Sequence, residues 1–292
     1  MAFKGTYTAL VTPFTNGEFD QKAFEKLIED QIQGGVDGIV PVGTTGESPT
    51  VSMEEHAKIV EIAVKIAQGK IKVIAGTGAN STGEAVHLTR SAEKAGADGS
   101  LQVAPYYNKP SQEGLYQHFS KIAGSTGLPL VLYSIPGRCG IQIDVDTVTR
   151  LAEGHENVSS IKEAGGDVDR VSQLKQSLSD DFSIVSGDDA LTLPFISVGA
   201  VGVISVASNI IPKEVSMLVK NSLAGDFVEA GRIHKKLYPL FKNLFIETNP
   251  VPIKTALALT GIGNEEFRLP LCKMSDSNKK ILMDSLKQFE VI

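Results

Sequence analysis

Eight short runs of apolar, largely β-branched residues recur along this chain, with longer amphipathic stretches between them. The runs lie at 7–11, 38–42, 72–75, 99–104, 130–133, 158–162, 182–185 and 201–206. Most are hydrophobic throughout instead of alternating, which suits parallel strands covered on both faces. A unit length of roughly 20 to 35 residues predicts an α/β chain folded as a (β/α)₈ barrel.

The segments between the runs read as helices. Ile59, Val60, Ile62, Ala63 and Ile66 fall on one face at spacings of three and four residues. Ser52 with Glu55 and Ser81 with Glu84 have the spacing of capping boxes. Gly34-Gly35 and Gly96 each close a helix before a strand, a device suited to the left-handed conformation. Beyond about residue 224 the alternation stops, and helices are expected at 228–245 and 252–260. The expected organisation is a catalytic barrel over 1–223 and a C-terminal helical domain over 224–292. The rival is an open doubly wound sheet, but its phosphate-binding signatures are missing. Gly43-Thr44-Thr45-Gly46 lacks the G-x-G-x-x-G spacing, and Gly78 to Gly83 is followed by Glu84 where a P-loop needs lysine.

Composition narrows the partners. With 28 basic and 34 acidic residues the formal net charge is −6, spread without long like-charge blocks. That offers no footprint for nucleic acid or an anionic membrane and points to small metabolites. No apolar stretch approaches the roughly 18 residues of a membrane span, and residues 1–11 show no signal-peptide pattern. Two cysteines, Cys139 and Cys272, suit a reducing compartment, so a cytoplasmic location is expected. His56, His87, His118, His155 and His234 show no metal-ligand spacing. Neither a metal nor an organic cofactor is expected.

In a barrel the chemistry gathers where strands end. Lys162 ends the sixth run, and alternation places Val158, Ser160 and Lys162 on one face. Facing inward over small Ser160, the amine would lose solvation, its pKa would fall, and it could attack a ketone to form a Schiff base. Facing outward, it would merely snorkel. Tyr133 ends the neighbouring run, either as a barrel-filling aromatic or as a proton shuttle, with Thr44, Thr45 and Tyr107 as candidate hydroxyl partners. Arg138 lies in the Gly-flanked loop Ile135 to Gly140. There it suits bidentate capture of a carboxylate, or is a solvated loop charge.

Together, Gly43-Thr44-Thr45-Gly46-Glu47, Pro105-Tyr106-Tyr107, Tyr133-Ser134-Ile135-Pro136-Gly137-Arg138 and Ile161-Lys162-Glu163 resemble the dihydrodipicolinate synthase family. That family lies within the superfamily that includes N-acetylneuraminate lyase. The resemblance spans nearly the whole chain. It implies a (β/α)₈ barrel with C-terminal helices, a homotetramer built as a dimer of dimers, and condensation of pyruvate with L-aspartate 4-semialdehyde in diaminopimelate and lysine synthesis. Lys162 resembles the Schiff-base lysine. Tyr133, Thr45 and Tyr107 resemble the proton relay, Tyr107 reaching the neighbouring subunit's site. Thr44, Thr45, Gly187 and Ile204 resemble pyruvate-site residues, and Arg138 the ligand of the semialdehyde carboxylate. Asn249 resembles a supporting residue from the C-terminal part. A sialate lyase or keto-deoxy-sugar aldolase would keep the pyruvate chemistry and change the aldehyde.

Ser48, His56, Asn80, Glu84 and Tyr106 match the pocket through which L-lysine inhibits regulated members. Glu84 also reads as a capping residue, and His56 as helical surface. Pro49 stands where alanine is usual in enteric-type enzymes, and Met53 where histidine is.

Overall fold

The computed structural model describes residues 3–292. Eight parallel strands close into a barrel: β1 (Gly5–Ala9), β4 (Gly38–Val40), β5 (Lys72–Gly76), β6 (Gly99–Val103), β7 (Leu130–Ser134), β8 (Val158–Glu163), β9 (Ser183–Ser186) and β10 (Gly202–Ser205). Their order around the ring follows the chain, and β1 pairs with both β4 and β10 to close it. All eight apolar runs became barrel strands, with ends displaced by up to two residues. Two short strands that the sequence reading did not anticipate, β2 (Phe14–Thr15) and β3 (Glu18–Phe19), form a hairpin before the first helix.

Alternation along the strands sorts the core into two layers. Tyr7, Ala9, Val40, Ile74, Leu101, Val131, Tyr133, Val185 and Ile204 fill the barrel interior. Val73, Leu130, Leu132, Ile161, Ile184 and Val203 pack outward under the helices. Phe3 lies beneath the start of the strands, edge-on to Tyr7 at 5.9 Å, with Lys72 Nζ 5.6 Å from its ring. A Cβ on Gly99 would come within 2.4 Å of that ring.

One expectation about β8 needs correction. The register slips where Leu130 pairs with Val158 but Val131 pairs with Ser160. This extra residue turns Val158 to the outer layer, so it does not share a face with Lys162.

The helix caps are largely as read. Ser52 and Glu55 complete a reciprocal capping box on Met53–Ala67. Ser81 accepts from the Glu84 amide, but the return bond from the Glu84 carboxylate is not made, so that box is half-formed. Gly35 and Gly96 close their helices at φ 73° and 88°. The segment read as a rigid loop before Gly140 is instead a one-turn helix, Pro136–Cys139, started by proline and closed by Gly140 at φ 70°. The eighth unit ends with the helix Pro212–Leu223. Helices Phe227–Asn243, Val251–Leu259 and Asp276–Gln288 follow, with an irregular stretch before the last.

Candidate active site

Lys162 enters the barrel at the C-terminal end of β8, paired with Tyr133 on one side and Val185 on the other. It is 5% exposed, above fully buried Ser160. Its Nζ lies 4.2 Å from the centre of the Tyr133 ring. Burial pulls the ammonium pKa down to about 7; Asp189 opposes this and Arg138 adds to it. Burial pushes the Tyr133 phenol well above its ordinary value, partly offset by the Arg138 charge and a hydrogen bond with Thr44. Gly187 leaves room beside the lysine, because a Cβ there would stand 2.7 Å from Ala164 Cβ and 3.0 Å from Lys162 Cε. Ile204 shares the inner layer with Tyr133.

Asp189 went unnoticed in the sequence, although Asp188-Asp189 directly after a strand end was a usable signal. Its carboxylate is buried and accepts from the Ser205 hydroxyl and from the Val206 and Ala207 amides at 3.1 and 2.9 Å. Burial raises its pKa to about 6.

The turn carrying Thr44 and Thr45 is strained at both ends. Val42 and Glu47 stand at φ 53° and 55°, a left-handed backbone costing a non-glycine residue about 1–2 kcal/mol. Thr12 Oγ1 donates to the Gly46 carbonyl at 2.7 Å. A Cβ on Gly76 would meet the Val42 carbonyl at 2.5 Å, so the turn lies directly on β5. The two threonines have different partners. Thr44 bonds with the Tyr133 phenol, whereas Thr45 Oγ1 accepts from Asn249 Nδ2 at 3.0 Å. Thr45, expected in the proton relay, has its hydroxyl engaged by Asn249, and Thr44 is the threonine that lowers the phenol's pKa.

Arg138 leaves the one-turn helix and donates to the Asn249 carbonyl at 2.9 Å. A cavity of about 220 Å³ is bounded by Thr44, Tyr133 and Arg138 together with Ser48, Pro49 and Tyr106. Cys139, on the same wall, donates Sγ–H to the Ala104 carbonyl at 3.1 Å, and burial pushes its thiol up to about 11. It is no nucleophile. Tyr107 is 90% exposed at φ 70° and stands apart from this chain's own Lys162. Its loop is braced by Asn108 Nδ2 on the Asn80 carbonyl (2.8 Å) and Asn80 Nδ2 on the Tyr106 carbonyl (3.3 Å).

The second candidate cluster also converges. His56 is buried, not surface, with Nε2 2.8 Å from the Gly76 carbonyl and Nδ1 lacking a partner among the described residues. Burial lowers its pKa, and the charge of Glu84 opposes that shift. Glu84 also contributes to the raised pKa of half-buried Tyr106. Met53 lies exposed at the start of its helix.

An amine near neutrality inside a barrel mouth, with a phenol against it and a guanidinium at the rim, has the chemistry of an imine-forming lyase. The chain belongs to the dihydrodipicolinate synthetase family, whose model matches residues 2–289. As a member of it, the chain is an enzyme of the lyase class. A relative from Endomicrobium trichonymphae, named 4-hydroxy-tetrahydrodipicolinate synthase, is 53% identical over 99% of each chain. The structure of 4-hydroxy-tetrahydrodipicolinate synthase from Methylacidiphilum fumariolicum SolV is 59% identical, covering 99% of this chain and 96% of that one, with a TM-score of 0.98. The dihydrodipicolinate synthase structure from Cyanidioschyzon merolae, with lysine bound, is 41% identical over 100% of this chain and 99% of that one, with a TM-score of 0.97.

Proposed function

We propose that this enzyme condenses pyruvate with L-aspartate 4-semialdehyde through a Schiff base on Lys162, as a 4-hydroxy-tetrahydrodipicolinate synthase of diaminopimelate and lysine synthesis. The observation that carries this reading is the buried Lys162 amine, brought to about pH 7 and held 4.2 Å from the Tyr133 ring centre. The neutral amine attacks the ketone of pyruvate, and loss of water gives an iminium. A methyl proton leaves to form the enamine, whose carbon attacks the aldehyde. The substrate's own amine then adds to the iminium carbon and expels Lys162 as the ring closes. Tyr133 and Thr44 move the protons, joined by Tyr107 of a neighbouring subunit. Thr44, Thr45, Gly187 and Ile204 hold pyruvate, and Arg138 turns from the Asn249 carbonyl to the semialdehyde carboxylate.

Borohydride reduction with pyruvate, followed by mass spectrometry, tests this directly. A reduced pyruvyl adduct on Lys162 is expected; an adduct on another lysine overturns the assignment.

The same reading makes the enzyme a cytoplasmic homotetramer, a dimer of dimers, with the catalytic barrel ending at residue 223 and the helical domain beginning at 224. The projecting Tyr107 supports assembly, since its hydroxyl needs a neighbour's site to act in. L-Lysine is the proposed feedback inhibitor at Ser48, His56, Asn80, Glu84 and Tyr106, supported by the lysine-bound relative from Cyanidioschyzon merolae. His56 Nδ1, buried and without a partner among the described residues, and the carboxylate of Glu84 suit a ligand carrying an amine and a carboxylate.

A further inference from the structure

The C-terminal helices reach the Thr44–Thr45 turn through a buried ion pair. Glu47, the left-handed residue closing that turn, is 2% exposed, and Lys254 on the helix Val251–Leu259 is 3% exposed. Lys254 Nζ donates to Glu47 Oε1, and the other carboxylate oxygen accepts from the Arg268 amide at 3.3 Å. The ammonium lies between aromatic faces, 4.3 Å from the Phe14 ring centre and 5.1 Å from that of Phe267. Arg268 stacks on Phe14 at 4.2 Å and grips Glu55 with two bonds of 2.8 and 2.6 Å. It also donates to the Thr50 carbonyl at 2.8 Å, on the far side of the turn.

A strained backbone persists only where its surroundings over-determine it. Thr12 secures the middle of the turn and Thr44 and Thr50 bond the Glu47 backbone locally, whereas the Glu47 carboxylate is held by groups from the C-terminal part. Two charges sealed among aromatic rings depend on each other, since removing one leaves the other buried and uncompensated.

We propose that Lys254 is a positioning residue for the Thr44–Thr45 turn, holding Glu47 so that both threonine hydroxyls stand where pyruvate binds. This rests on the pyruvate reading above. It also gives the C-terminal helices a part in substrate binding, although Lys254 touches no reacting atom.

The test compares the full-length parent with Lys254→Met, Glu47→Gly and the double variant Glu47→Gln/Lys254→Met. Glycine adopts the left-handed conformation without strain, so Glu47→Gly removes the clamp while leaving the backbone of the turn accessible. The double variant replaces the ion pair by a neutral pair of similar shape. Steady-state kinetics with pyruvate varied, and borohydride trapping on Lys162 at subsaturating pyruvate, supply the readouts. Lys254→Met should raise KM for pyruvate at least tenfold and slow trapping equally; the double variant, which lacks the clamp as well, should be similarly impaired, and Glu47→Gly, whose backbone needs no clamp, should stay closer to the parent. KM and trapping within twofold of the parent in folded Lys254→Met, whatever its melting temperature, would overturn the proposal. A double variant restored to within about threefold of the parent, or failure of Lys254→Met and the double variant to fold, would also overturn it, because the pair would then serve charge balance or the fold alone. A parent protein that gives no Lys162 adduct removes the pyruvate reading itself, a distinguishable result.

Discussion

Lys162 and Tyr133 are direct partners across neighbouring parallel strands, and the lysine nitrogen stands 4.2 Å from the centre of the tyrosine ring. The ring adds attraction for the cation but no solvation, so desolvation still dominates and the amine titrates near neutrality.

The first expected outcome is a pH profile. The rate of imine formation with pyruvate should rise about tenfold per pH unit below 7 and level off above it. Single-turnover borohydride trapping between pH 5.5 and 9 measures this. A midpoint above 9 would mean the amine is solvated.

The same group makes stability depend on pH. Between about 7 and 10.5 the unfolded lysine carries a proton that the folded one does not, so the Lys162 contribution to stability rises with pH across that window. Below 7 the burial penalty is at its full value. Lys162→Met should therefore melt above the parent at pH 7, with the gap narrowing towards pH 9.5, as read by calorimetry.

Tyr133→Phe keeps the ring beside the amine and deletes the proton carrier. kcat should fall by about 10²- to 10⁴-fold, while the Lys162 adduct remains detectable by mass spectrometry. Thr44→Val should fall in the same direction by less, and more than Thr45→Val does in kcat. The reverse order would restore Thr45 to the relay.

Arg138→Ala should raise KM for the semialdehyde by roughly 10- to 150-fold, the equivalent of the about 1.5–3 kcal/mol of a hydrogen bond to a charged group. Trapping of pyruvate should stay within a fewfold of the parent. Equal losses for both substrates would show the guanidinium ordering the whole mouth instead.

Arg170 and Glu163 form a buried pair at 2.8 Å, Glu163 standing directly after Lys162 in β8. Glu163 also accepts from the Gly165 amide at 2.7 Å. Arg170→Met strands a carboxylate with no exposed surface, at a cost of about 3–5 kcal/mol. Urea denaturation measures it, and Glu163→Gln in the same background should recover much of the loss.

The barrel was legible because its signal is redundant: most of the eight runs separately report burial on both faces. What escaped the sequence depended on single residues or on distant chain. The slip that turns Val158 outward comes from one extra residue in β8, and no apolar pattern marks it. The one-turn helix at Arg138 is too short for periodicity to reveal. Lys162, Tyr133 and Arg138 could be singled out from strand ends and a Gly-flanked turn. Which threonine meets the phenol could not, because adjacent hydroxyls differ only in the direction the backbone gives them. Lys254 and Arg268 lie far from the motifs in sequence, and ordinary charged residues carry no local mark of being buried.

Phe3 has a consequence at the opposite end of the ring. Wedged edge-on against Tyr7 and close to Gly99, it stoppers the barrel below the lysine. With the N-terminal end of the ring filled, the barrel offers Lys162 to ligands from the C-terminal side, where Thr44, Tyr106 and Arg138 border the cavity.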